Sequence, residues 1–538
     1  MPDLSSRPFA LPLLCAAALA GGAAPVVAQT ASQGLLPAYG ADVRVGDLRQ
    51  QFARTFDTNP PVVSDRAWTF SPAIDVTETY DSSVRTRTGT GHDLITRVTP
   101  VIAATALTSR LQGTFNYSPQ ISLYAANSTN SGIAHNLNTQ GTATLVEDLL
   151  FADLRGYATT QPVLGGLASQ SSGRVNEVQS ANFSGGPRLN KRFGDTATLQ
   201  AGYSLARNVM SSLAPRGTTP VAAGLNSNYT SSTENASLSS GSDFGRINAS
   251  LAAVATQYEG AGLYKGAFNN NLNLSGGYAV TRTITMTGSI GHEDIVYGPG
   301  GPKEINGATW SGGIRLTPNA ESTINASYGH QQGGTSFAFD GSYLPLARLR
   351  LLARYSQGIG TGLQNLQGAL ANASVGPAGV AVDRTTNAPL NLNSLLGQQA
   401  GVYRTTSGSI TVAFELDRDT LTASFESTDR QLISNPSTTS GGIGTNTGFT
   451  NTLAWQHAWS ELLSSTTSAQ YGTRSVPGGT TGSNGGGSET EAVNAAFTYT
   501  LSETMSTNAL ISHTQTKGKS FGTAPVRDMA LVGMHKAF

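Results

Sequence analysis

The sequence predicts an all-β transmembrane barrel of about 22 antiparallel strands, within a range of roughly 18 to 24. Three observations predict it. Apolar and polar residues alternate with period two from Trp68 onward, short and long connections take turns between the alternating runs, and the chain ends as a strand on Phe538. Alternation over about ten residues is what a tilted strand needs to cross a hydrocarbon layer with one face in lipid and the other in water. An even strand count returns both ends of the barrel to one side of the membrane.

The chain opens with a secretory leader, residues 1–28. Arg7 supplies positive charge, an apolar core runs from Phe9 to Val27, and Val26-Val27-Ala28 before Gln29 fits a small-residue cleavage site. Pro12, Gly21, Gly22 and Pro25 break that core, which argues against a permanent anchor. The single cysteine, Cys15, follows Leu14 where lipobox chemistry needs a small residue, which argues against lipidation. Cleavage near Ala28 leaves a mature chain without cysteine, so disulfides, thiolate metal sites and cysteine catalysis are excluded.

Residues 29–66 are polar, contain Asn59-Pro60-Pro61, and hold at most one short helix in which Val45, Leu48, Phe52 and Phe56 share a face. They read as a flexible periplasmic extension, with a partner-docking helix as the alternative. Residues 67–538 are the barrel.

Within the barrel, Trp68, Phe70, Ile74, Val76 and Tyr80 alternate with Thr69, Ser71, Asp75, Thr77 and Thr79. Trp310, Gly312, Ile314 and Leu316 alternate with Ser311, Gly313, Arg315 and Thr317; Ile410, Val412, Phe414 and Leu416 with Thr411, Ala413 and Glu415. Val493, Ala495, Phe497, Tyr499 and Leu501 close the pattern against Asn494, Thr498 and Thr500.

Short connections fall at Thr108-Ser109, Glu147-Asp148, Gly194-Asp195, Ser242-Asp243, Thr281-Arg282, Pro318-Asn319, Ala347, Asp417-Arg418-Asp419, Ser460-Glu461 and Ser502-Glu503. Their Asp, Ser, Thr, Asn and Glu residues suit tight hairpins. Longer connections run from Asp81 to Gly91, Gln161 to Glu177, Ser211 to Asn226, Tyr297 to Ile305, Ile359 to Tyr403, Ile433 to Thr447 and Ser475 to Ser488. Short periplasmic turns and long extracellular loops produce this one-sided distribution. A secreted solenoid or tandem sandwich also alternates, but a solenoid shows a fixed repeat, and none is apparent.

Composition excludes other classes. The 33 basic and 33 acidic residues balance, and charged residues make up 12% of the chain, so no basic footprint for nucleic acid exists. After the leader no apolar run reaches the length of a spanning helix. The 7 histidines are scattered singly, without a zinc His-Glu-x-x-His motif, and no Gly-x-Ser-x-Gly nucleophile elbow occurs. Glu147-Asp148 and the Asp417/Asp419 pair lie in predicted turns, where solvated carboxylates are expected, and His292-Glu293-Asp294 reads as polarity near a loop. Gly478-Gly479 and Gly485-Gly486-Gly487 lack the lysine of a phosphate loop and read as outer loop. No catalytic residue, cofactor or metal ligand is indicated, and no energy-coupling box or plug domain is recognisable.

Arg348, Arg350 and Arg354 alternate with Leu349, Leu351, Ala353 and Tyr355, and Arg315 and Glu426 oppose apolar neighbours in the same way. Arginine facing lipid at mid-depth costs about 2–4 kcal/mol, so these side chains are assigned to the lumen. They either pair across the wall or favour anionic solutes. The connection from Ile359 to Tyr403 is long enough to fold inward as a constriction or to remain outside.

Trp310 to Asn319 followed by Ile324 to His330, the run Leu145 to Arg155, and the block from Trp68 through Glu78-Thr79-Tyr80-Asp81 to Pro100 resemble the outer-membrane β-barrel family associated with PEP-CTERM and exopolysaccharide systems. The resemblance covers nearly all of the mature chain and implies an outer-membrane location linked to exported polysaccharide. It supplies no active-site residues. Lys536 departs from the aromatic that barrel ends often carry two places before the terminal Phe, and near the rim its ammonium can snorkel.

The expected function is therefore non-enzymatic: a channel or export conduit for a hydrophilic solute, with a closed structural or surface-interaction barrel as the alternative. The expected partners are outer-membrane lipid and lipopolysaccharide, the barrel assembly machinery that reads Phe538, and polysaccharide-export components. Deleting Phe538 is expected to lower the yield of membrane-inserted, heat-modifiable protein. Insertion at the wild-type level would show that the terminal residue is not a signal.

Overall fold

A computed structural model describes residues 67–85, 90–162, 174, 177–214, 228–362, 364, 373–375, 381–383, 401–434, 446–476, 486–518 and 526–538. The leader, the 29–66 extension and most of the 359–403 connection lie outside the described residues.

The strands in chain order are β1 Trp68–Arg85, β2 Thr90–Leu107, β3 Leu111–Tyr117 continued by Gln120–Tyr124, β4 Gly132–Ala134 continued by Leu137–Val146, β5 Leu150–Pro162, β6 Glu177–Phe193, β7 Ala197–Ser212, β8 Tyr229–Ser240, β9 Ile247–Gly260, β10 Phe268–Ala279 and β11 Ile284–Val296. They continue as β12 Ile305–Leu316, β13 Thr323–Gln331, β14 Gly334–Leu346, β15 Leu349–Thr361, β16 Val402–Glu415, β17 Asp419–Leu432, β18 Asn446–Ala458, β19 Leu463–Val476, β20 Gly486–Ser502, β21 Met505–Gly518 and β22 Arg527–Ala537. Each pairs antiparallel with the next, and β22 returns to β1 from Ala73↔Ala537 to Asp81↔Met529. The result is a closed barrel of 22 strands, as the alternation predicts.

Closure follows from the solvent. Hydrocarbon offers no partner for a backbone N–H or C=O, so a sheet survives in lipid only without edges. The side chains then sort in the reverse of a soluble protein. Trp68 is 59% exposed and Ile290 62%, whereas the hydroxyl of Thr79 and the carboxylate of Asp81 belong to fully buried residues. Exposed apolar side chains on successive strands share one face: Tyr203 and Leu205 on β7, Leu272 and Leu274 on β10, Phe425 on β17, Val493 and Phe497 on β20. Residues directly opposite in register point to the same side, so this face is continuous around the outside of the wall.

The inner face is bonded across strands by hydroxyls. Thr69 pairs with Thr105, Ser250 with Ser275 at 2.8 Å, Ser289 with Ser311 at 2.6 Å, and Thr490 with Thr516 at 3.1 Å. Such pairs contribute about 0.2–1 kcal/mol each and leave the lumen polar. The closing seam is held from inside by charge. Arg527 donates through Nε and Nη2 to the buried Asp81 carboxylate, and His535 Nδ1 lies 2.6 Å from Asp75 Oδ1.

All ten short connections named from sequence lie at the end where Trp68 and Phe538 meet, the Phe538 N–H donating to the Pro72 carbonyl. Trp68, Phe70, Phe244, Tyr278, Trp455, Trp459, Tyr499 and the 75%-exposed Phe538 form the girdle there. Lys536 donates to the Thr504 hydroxyl in the adjacent turn, which keeps its charge at the interface. At the opposite end the sequence reading missed four connections: 125–131, 261–267, Gln332-Gly333 and the link from Gly518 to Arg527. Gln332-Gly333 is a two-residue hairpin with φ of 53° and 67°, as short as any periplasmic turn. Gly486 and Gly487, read as loop, begin strand β20 instead, paired with Val476 and Ser475.

Replacing outward-facing Ile290 with Arg is expected to destabilise the barrel by about 2–4 kcal/mol. The same change at its inward neighbour Ser289 should cost far less, with both read from the temperature at which folded gel mobility is lost. Equal losses at the two positions would contradict the assignment of faces.

Candidate functional site: the lumen and its outer mouth

Register carries the inner face from strand to strand and fixes which charges line it. Inward arginines are Arg97, Arg155, Arg188, Arg192, Arg315, Arg350, Arg354, Arg430, Arg474 and Arg527. Inward carboxylates are Asp75, Asp81, Asp93, Asp153, Glu293, Asp340, Glu415 and Glu426. Several are neutralised locally. Arg188 Nε donates to Asp153 Oδ2 at 2.7 Å and its guanidinium lies 4.7 Å from the Phe151 ring centre, while Arg354 Nε donates to Asp340 Oδ2 at 2.7 Å. Arg315 Nε donates to the neutral Asn325 Oδ1 at 2.9 Å. Among the described residues no carboxylate forms an ion pair with Arg97, Arg315 or Arg350.

By register, Arg315, Arg350, Arg354 and Glu426 share the inner face with these groups. Arg348 is corrected. It sits in the periplasmic turn between β14 and β15, its Nη2 2.7 Å from Asp417 Oδ1 with both side chains largely exposed. Alternation with leucine continues to Arg348, but the strand begins one residue later, so the period no longer sets its direction.

The outer mouth is built by residues that sequence reasoning did not single out. Tyr229 and Tyr258 face inward at the outer ends of β8 and β9, Tyr258 lying opposite inward Ser231. The connection from Ala261 to Ala267 folds onto them, so that Tyr264 stacks on Tyr229 with ring centres 4.0 Å apart. Gly262 and Gly266, at φ of 60° and 70°, make the two bends that bring it in. The Tyr264 hydroxyl then meets the Thr361 hydroxyl at 2.6 Å, linking the β9–β10 connection to the outer end of β15. Gln364, one helical turn beyond Thr361, hydrogen-bonds Tyr258 over the same inner face.

Burial raises the Tyr264 and Tyr297 phenols well above the usual tyrosine range. Both stay neutral at any physiological pH, and Tyr264 keeps its hydroxyl proton for the bridge to Thr361. Gly298 donates its N–H to the Leu263 carbonyl at 2.8 Å, and a Cβ there would stand 2.4 Å from the Gly262 carbonyl oxygen.

Beside this bridge the wall is held together over the short β13–β14 hairpin. Gln332 Oε1 accepts from the Ile359 N–H at 2.7 Å, and Glu293 Oε1 from the Gly333 N–H at 3.3 Å. On the far side Asp93 accepts from the Ala126 and Asn127 N–H groups and Asn127 Nδ2, which ties down connection 125–131. Scattered tyrosines carry no spacing signal. Gly262 and Gly266 on either side of Tyr264 are the one signal that could have marked the bent loop, and the sequence reading passed over it.

No family model and no curated protein matches the chain. Solved structures do. The FrpB iron transporter from Neisseria meningitidis is 10% identical, with a TM-score of 0.50 over 90% of this chain and 83% of that one. A second FrpB variant from the same organism is 10% identical over 88% and 82%, at 0.49. The ferric-catecholate import receptor Fiu from E. coli K12 is 12% identical over 87% and 81%, at 0.45. At these identities the likeness is one of fold: this chain is a β-barrel of the outer-membrane type.

Gly298→Val is expected to lift the 261–267 connection from its seat and to raise the rate of tryptic cleavage after Lys265. An unchanged rate would show that the loop is held without Gly298.

Proposed function

We propose that the protein is a non-enzymatic conduit in the bacterial outer membrane for a hydrophilic solute carrying negative charge. One observation carries the reading: lumen arginines outnumber lumen carboxylates, and Arg97, Arg315 and Arg350 have no ion-paired acid among the described residues. A water-filled passage lined this way concentrates anions and repels cations. The transporters and receptors that share the fold support a transport role.

An acidic polysaccharide in export fits the same chemistry, and the strand-and-turn resemblance to barrels of exopolysaccharide systems supports it. Lipopolysaccharide around the wall, the assembly machinery at Phe538 and polysaccharide-export components in the periplasm are the corresponding partners. A leader cleaved near Ala28 would deliver the chain to that membrane. The Tyr264–Thr361 bridge favours a second reading, a non-conducting surface barrel.

Planar bilayers separate the two. The conduit is expected to pass steady current with anions preferred in a salt gradient. Replacing Arg97, Arg315 and Arg350 together with Gln should move the reversal potential toward zero. No current under any condition, or cation preference in the wild type, would refute the proposal.

A further inference from the structure

One arginine of the inner wall comes from outside the strands. Gly132 on β4 lies opposite Ser122 on β3, Ser122 opposite Arg97 on β2, and Arg97 opposite Thr77 on β1. Residues opposite in register point to the same side, so this rung belongs to the inner face. Gly132 brings no side chain to it. Its place is taken by Arg174, whose Nη1 stands 1.6 Å from the point that a Gly132 Cβ would occupy. Arg174 Nη2 donates to the Ile133 carbonyl at 2.7 Å, which holds the guanidinium over the glycine. Two arginines therefore flank Ser122 on the lumen side, on a rung where β2 and β4 are about 10 Å apart.

Neither is neutralised. Among the described residues no carboxylate forms an ion pair with Arg97 or Arg174, and the Nε of each is buried without an acceptor. The inward acids of β1 and β2 are engaged elsewhere: Asp75 with His535, Asp81 with Arg527, and Asp93 with the Ala126 and Asn127 amides. A buried donor on a charged group costs more to leave unmade than a neutral one, and like charges on neighbouring strands repel. An anion between them offsets both costs. Thr77, Arg97, Ser122 and Arg174 all stay partly exposed, so the rung is open to the lumen.

We propose that Arg97, Ser122 and Arg174 form a binding site for a tetrahedral oxyanion, a phosphoryl or sulfate group carried by the solute. The site rests on the reading of the lumen as an anion passage and names the group held there. Each guanidinium offers a planar fork that takes two oxygens at once. A tetrahedral group presents oxygens toward both forks and accepts from the Ser122 hydroxyl as well. A carboxylate is planar, and its two oxygens face one fork.

The test uses the full chain, folded in detergent micelles and titrated calorimetrically with inorganic phosphate, sulfate or acetate. One saturable site for phosphate or sulfate is expected, with acetate at least tenfold weaker; the tighter of the two names the group. Arg97→Gln and Arg174→Gln should each weaken binding about tenfold. Arg348→Gln, which removes a charge from the periplasmic turn, should not. Arg97→Lys keeps the charge but loses the fork, so it should recover little of the loss. Gly132→Val keeps both charges, and its clash falls on the flexible end of Arg174 rather than on backbone, so it should weaken binding in a barrel that still folds. Heat-modifiable gel mobility confirms that each variant is folded.

Binding that survives in both Arg97→Gln and Arg174→Gln, acetate as tight as phosphate and sulfate, or no saturable binding would overturn the site. Bilayer currents report separately on the conduit. A barrel that prefers anions yet binds no oxyanion keeps the passage and loses the site. One that binds phosphate but passes no current keeps the site and loses the passage.

Discussion

A backbone amide in hydrocarbon has no partner except another backbone amide, and every feature of this molecule answers to that fact. It forbids a free edge, so β22 must find β1 across the whole length of the chain. Once the sheet is closed, period-two geometry leaves each strand one face for lipid and one for the interior. The large apolar side chains go to the outside, and the hydroxyls, amides and arginines of the spanning strands have nowhere to go but in. The polar lumen is a consequence of closure before it is an adaptation to a solute.

That hierarchy explains what could be read from the amino acids. Strand identity and face were legible because lipid imposes a penalty at every outward position: Ile290, Trp310, Phe425 and Val493 stand out from their neighbours in sequence as they do in space. The periplasmic turns were legible because Asp, Ser and Asn at a tight bend have a local reason to be there. Arg315, Arg350, Arg354 and Glu426 followed from the same period. Arg348 did not, because period two loses its meaning one residue past a strand end.

The outer mouth was illegible for a different reason. Tyr229, Tyr258, Tyr264 and Thr361 are brought together by tertiary folding over the rim, and nothing in their separation along the chain announces it. The hairpin at Gln332-Gly333 escaped because outer connections were expected to be long. Gln332 adopts a backbone conformation that usually favours glycine, and its buried side chain is anchored by the Ile359 amide, so context supplies what intrinsic preference does not. The inward apolar residues on either side of the closing seam were hidden too. Leu510, Leu531 and Ile95 each look like an ordinary interruption of alternation until register aligns them.

The charges that fasten the first strand to the last have a further meaning for biogenesis. Arg527 and Asp81 are 446 residues apart in the chain, and His535 and Asp75 are 460 apart. No neighbouring hairpin can stand in for these contacts, and pairing at such separation is slow because loop entropy is lost before any bond repays it. Until β22 is in place, β1 has one row of peptide groups unsatisfied, a template for any passing strand. The ring therefore closes only when its first and last barrel strands meet, which satisfies both edges in one event.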